Sequence, residues 1–151
     1  NSPFELSNAD VSGMTLIQST RAGTTGAAAA TGADEMYACS FAISGSTAKA
    51  ILEDAPSKVS IVAMGDKGQA RTDEDELCAL YLRNLLEGRP SESGAIRSLV
   101  GASAHAANFT DPTKPWYHPM DMDMALHIDS FPFAIKVTRE DRLLVARPHG
   151  I

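Results

Sequence analysis

At 151 residues, with 44% hydrophobic and 21% charged side chains, the chain is expected to form one globular domain over residues 1–151. A net charge of −6 argues against a nucleic-acid partner and against binding to anionic membranes, since both need a basic face. No apolar run approaches the roughly 20 residues that span a bilayer, and Cys39 and Cys78 fit no Cys-x-x-Cys pattern, so a cytoplasmic protein with reduced thiols is expected.

Taken in chain order, Asn1-Ser2-Pro3 opens the sequence with no initiator methionine or leader, which suits a processed or truncated protein. Residues 13–18 read as a strand and 24–31 as an alanine-rich helix with Thr24 as its cap. Between them, Ser19, Thr20, Arg21, Gly23, Thr24 and Thr25 form a loop with the composition of an anion site. Free N–H groups at a helix start attract negative charge, glycine lets a ligand approach the backbone, and Arg21 offers a bidentate fork for phosphate or sulfonate. Thr-Gly turns also simply cap helices, and the spacing matches neither the Walker loop nor the dinucleotide fingerprint.

A second strand is expected over 34–40, a helix from Ser44 or Ser46 to Glu53, and the clearest buried strand over 59–64, ending at Gly65. Thr72 should cap a long helix to about Glu87, pairing with Asp75 as a capping box, with Gly88 and Pro90 closing it. Its first turn carries Asp73, Glu74, Asp75 and Glu76. Acids there favour the helix dipole, which explains the run without a ligand. Glu74 nevertheless shares a face with Cys78, Tyr81 and Leu85, and Asp75 with Ala79, Leu82 and Leu86. These two are the inward candidates for holding magnesium or positioning water, with Asp66 and Asp73 as second choices and Lys67 as an anion contact.

Further on, a helix is expected over 93–102, a loop over 105–119, a helix over 121–128 and a terminal hairpin of 133–137 with 143–146. His118 and its acidic neighbours are accounted for by a helix whose apolar face carries Met120, Met124 and Ile128. The four histidines and two cysteines make no zinc pattern, and no Gly-x-Ser-x-Gly elbow is present. Alternating strands and helices predict an α/β fold with a largely parallel or mixed central sheet and ligands beyond the strand ends.

Asn1-Ser2-Pro3, the segment 19–26, Val62-Ala-Met-Gly65 and Glu74-Asp75 with Cys78-Ala79 together resemble, in order and spacing, the 2-phosphosulfolactate phosphatases over about residues 1–89. The resemblance implies a magnesium-dependent hydrolase that removes phosphate from a small sulfonated acid on the route to coenzyme M, with the site between two halves of an α/β fold. It implies Glu74 and Asp75 as metal ligands or base, and Asn1, Ser2, Thr20, Arg21, Gly23 and Thr24 as substrate contacts. The sequence departs from the family in having Ala22 where relatives carry Asn and Thr25 where they carry Arg, so Arg21 is the candidate for the displaced positive charge. The family's upstream segment is not in this sequence, so the resemblance implies the C-terminal part of a longer phosphatase. A non-catalytic anion-binding module, or an assembly module that pairs with a second copy or with that segment, is the alternative.

Overall fold

The apolar stripe of Leu77, Cys78, Tyr81, Leu82 and Leu85 forms one face of α4 (Asp73–Leu86), the longest helix among those the computed structural model describes over residues 2–150. The other helices are α1 (Pro3–Ser7), α2 (Gly23–Ala29), α3 (Ser44–Glu53), α5 (Ser93–Gly101) and α6 (Pro119–Ala125). Single 3-10 turns occupy Phe41–Ile43 and Ala106–Thr110. None of these helices is long and apolar enough to cross a membrane.

The core forms where α3 lies between α4 and the sheet. Small residues make this possible: Ser44, Thr47, Ala48 and Ala50 are buried on α3, so neighbouring backbones approach closely. Phe41, Tyr81 and Val100 are the buried centre of a cluster that also takes in Leu77, Leu85, Ile96, Leu126 and Ile128. The buried Ser44 and Thr47 hydroxyls donate to Ser40 O and Ile43 O, both at 2.8 Å, which offsets the cost of removing them from water.

The sheet corrects the expectation of a largely parallel one. Its three strands run in the order β1 (Tyr37–Ala38), β2 (Phe133–Glu140), β3 (Leu143–Gly150), and both pairings are antiparallel. β2 and β3 form the expected hairpin, longer than read from sequence, turning at Asp141 and Arg142 with Asp141 at φ +53°. Arg147 and Glu140 form an ion pair across it. The expected strand over 34–40 is reduced to β1, whose two residues pair with Lys136 and Ile135.

The segments 13–18 and 59–64 are not strands. Neither joins a ladder among the described residues, and several of their apolar side chains stay in solvent, with Ile17 95% and Val62 70% exposed, whereas Ile61 and Met64 are half-buried. An apolar run specifies burial, but a strand also needs a neighbour for its N–H and C=O groups, and neither segment pairs with one among the described residues.

Two smaller helices are held by side chains read differently from sequence. Ser2 caps α1, its Oγ accepting the Glu5 N–H at 3.1 Å and donating to Asp121 Oδ1 at 2.6 Å. Asp121 also accepts the Phe4 N–H at 2.9 Å, and His118 stacks on Phe4 with ring centroids 4.1 Å apart. The His118 Nδ1 atom accepts the Met120 N–H at 3.1 Å, so this histidine caps α6. Burial acts to raise the Asp121 pKa, but the bonds from Ser2, Phe4 and His118 outweigh it and hold the carboxyl below its ordinary value.

Candidate active site

A cavity of about 1220 Å³ opens between the 19–23 loop, the extended segment 58–67 and the inner face of α4. Its walls bring together Thr20, Arg21, Gly23, Lys58, Asp66, Lys67 and Asp75. It exceeds the roughly 300–1,000 Å³ usual for small-molecule sites.

Local hydrogen bonding explains the 19–23 wall. The Thr24 N–H donates to Thr20 Oγ1 at 3.0 Å, the Thr20 N–H donates to Thr24 Oγ1 at 3.0 Å, and the Thr24 hydroxyl donates to Thr20 O at 2.8 Å. α2 therefore begins at Gly23, and Thr20 rather than Thr24 satisfies its start. Both hydroxyls are engaged with each other, which leaves Arg21 as the charged side chain of this wall. Arg21 is exposed and makes no ion pair among the described residues. The same is true of Lys58 and Lys67 on the facing segment.

The floor is set by the start of α4. The expected capping box does not form: the Thr72 side chain makes no cap bond and its Oγ1 is buried without a partner. The Asp75 carboxylate has instead turned to the cavity, where Oδ2 accepts the Gly65 N–H at 2.6 Å. Gly65 sits at φ +62°, and a Cβ there would fall 1.9 Å from Ala70 O, so the turn requires glycine. Met64 packs on Gly26 of α2 and connects the two walls.

Not every sequence-derived residue reaches this place. Thr20, Arg21, Gly23 and Asp75 line the cavity, and Glu74 and Thr24 do not. Ser2 lies at the α1–α6 contact, bonded to Asp121, and Asn1 lies outside the described residues. Glu74 Oε2 is buried without a hydrogen-bond partner. Lys58, Cys39 and Cys78 also line the cavity. Lys58 was invisible to sequence reading because it lies at the start of the expected strand 59–64, the end opposite to where parallel strands present ligands.

The donor set is compatible with magnesium. That ion needs only one or two carboxylates and completes its shell with water and phosphate oxygens. Asp75 has one oxygen held by Gly65 and the other without a partner among the described residues, and Asp66 is on the same wall. No three His, Cys, Asp or Glu side chains converge among the described residues, so a fully protein-built metal centre is not what this wall offers.

A comparison with protein families matches residues 1–114 to the model of 2-phosphosulpholactate phosphatase. The chain belongs to that family. The match runs beyond residue 89, where the sequence motifs fade, through α5 and the 3-10 turn at Ala106–Thr110. It takes in every cavity residue named above and leaves out α6 and the β2–β3 hairpin. In this 2-phosphosulpholactate phosphatase relative, therefore, the cavity belongs to the family-matched part of the chain. Comparison with curated proteins and with solved structures returned no match.

Proposed function

We propose that the cavity binds a small phosphorylated, sulfonated 2-hydroxy acid and that the chain is a magnesium-dependent phosphatase releasing sulfolactate and phosphate, as in coenzyme M biosynthesis. The observation carrying this reading is that Arg21, Lys58 and Lys67, three cations that make no ion pair among the described residues, line one cavity with the Gly65-anchored carboxylate of Asp75. A dianionic phosphate and a sulfonate need several positive donors at once, and Arg21 suits the planar pairing best.

In this reading Arg21 and the two lysines hold and orient the anionic groups. Asp75, fixed by Gly65, accepts a proton from the attacking water as its oxygen bonds to phosphorus. The phosphorus–ester oxygen bond breaks, and the leaving oxygen takes up a proton to become the hydroxyl of the product. Asp66, with Asp75, would hold magnesium, which would neutralise phosphate charge when bound; Glu74, expected from sequence as a ligand, does not line the cavity. The reading places the protein in the cytoplasm, with no nucleic-acid or membrane partner.

The test is release of inorganic phosphate from 2-phosphosulfolactate with magnesium and with EDTA. Release that stops on chelation supports the reading. Saturable binding of the substrate with no release favours the anion-binding module instead. The exposed Met14, Leu16, Ile17 and Val62 favour a further property, pairing with a second copy of the chain, which a concentration-dependent mass would reveal.

A further inference from the structure

The turn over residues 65–70 carries left-handed backbone at Gly65 (φ +62°), Lys67 (φ +56°) and Gly68 (φ +70°). Glycine adopts that backbone without steric conflict, whereas the Cβ of a lysine crowds the following carbonyl. The surrounding hydrogen bonds fix the conformation. The Asp66 N–H donates to Ala70 O at 2.8 Å, and Asp66 O accepts the Gln69 and Ala70 N–H groups at 3.0 and 3.2 Å. Asp75 holds the Gly65 N–H at the base of the turn. Lys67 therefore stands where this closed turn favours glycine.

The interactions of Lys67 with the rest of the chain do not account for a lysine there. Its side chain is exposed and makes no ion pair among the described residues. The Lys67 and Gly68 N–H groups donate to no backbone carbonyl among them. Ala55, Asp129 and Asp141 are also non-glycine residues with positive φ, but of these four Lys67 alone lines the large cavity. Backbone strain of this kind concentrates at sites that hold ligands. Lys58 lines the same cavity from a segment that joins no ladder, so of the two lysines Lys67 has the backbone pinned by hydrogen bonds.

We propose that Lys67 is the lysine that positions a tetrahedral phosphate-type anion in the cavity, and that its strained backbone trades stability for that contact. The proposal rests on the phosphatase reading for the substrate alone, because the anion contact has a readout in binding. A cation on a hydrogen-bonded turn loses little freedom when an anion arrives, so more of the attraction is retained as affinity.

The test measures inorganic phosphate binding by calorimetry, kcat and KM for 2-phosphosulfolactate with magnesium, and melting temperature. It compares the parent with Lys67→Met, Lys67→Arg and Lys67→Gly. Lys67→Met keeps the backbone demand and removes the charge, so phosphate Kd and substrate KM should each rise about tenfold, with kcat and melting temperature near the parent values. Lys67→Arg restores the charge and should recover much of that affinity. Lys67→Gly should lose the same affinity yet melt about 2 °C higher, because relief of the left-handed strain exceeds the freedom glycine adds to the unfolded chain. Phosphate binding that depends on Lys67, in a parent that releases no phosphate from 2-phosphosulfolactate, supports this proposal and overturns the phosphatase reading. A parent that binds no phosphate, unchanged phosphate affinity in Lys67→Met, or a lower melting temperature in Lys67→Gly overturns the proposal.

Discussion

The Asp75 carboxylate accepts the Gly65 backbone N–H at 2.6 Å, tying the first turn of α4 to the end of the extended segment 59–64. The bond takes one carboxylate oxygen, and Asp75 lines the cavity. The Asp75→Asn variant keeps an oxygen for Gly65 but loses the base, so phosphate release should fall by about 100-fold or more with the helical circular dichroism unchanged. Activity near the parent value in that variant would remove Asp75 from the chemistry.

Gly65 is the other half of this contact. Because its φ is +62° and an added Cβ would meet Ala70 O at 1.9 Å, Gly65→Ala should lower the unfolding free energy by about 2 kcal/mol or more. Urea titration reads the loss as a lower midpoint at an unchanged slope.

Arg21 contributes little to the fold, since it is exposed and makes no ion pair among the described residues. Arg21→Ala should therefore raise KM for the phosphorylated substrate by roughly tenfold or more while the melting temperature stays put. Arg21→Lys should recover part of the affinity, because a point charge replaces a planar fork. A lowered melting temperature with KM unchanged would assign Arg21 to the fold instead.

Tyr81 donates its hydroxyl to Asp129 Oδ2 at 2.7 Å, while Asp129 Oδ1 accepts the Gly45 N–H at 2.6 Å. Burial, the bond to Asp129 and that residue's charge push the Tyr81 pKa up to about 12. The folded value lies above the unfolded one, so this contribution is complete below about pH 10 and is lost as pH rises toward 12. Tyr81→Phe should cost about 1 kcal/mol at neutral pH and flatten the alkaline fall in stability. Unfolding curves at pH 8, 10 and 11 on both proteins measure that difference.

Asp121 gives the opposite sign. Its folded pKa is lowered, so its contribution is present above about pH 4 and is lost as pH falls through the folded value. The Phe4 amide, bonded to Asp121 at 2.9 Å, should lose hydrogen-exchange protection in acid before the α4 amides do. Simultaneous loss at both places would mean that this contact does not open separately.

Local patterning identified most of the elements and the composition of the site. The 3.6-residue stripe of Leu77, Tyr81 and Leu85 located α4, and the paired runs 133–137 and 143–146 located the hairpin, because such patterns are properties of neighbouring residues. The loop around Arg21 and the acidic start of α4 were likewise visible as residue types at helix starts, and the family match covers both.

Pairing and side-chain direction were decided only in three dimensions. Residues 59–64 carry an apolar run, but a ladder partner is a non-local choice, and the sheet formed antiparallel around β2 without them. Asp75 left its expected partner Thr72 for the Gly65 N–H ten positions away, a competitor that helical spacing does not contain. Ser2, bonded to Asp121, and Lys58, on the cavity wall, follow the same rule. Composition and period set which residues are polar, reactive or buried within an element, whereas chain packing alone sets which of them meet.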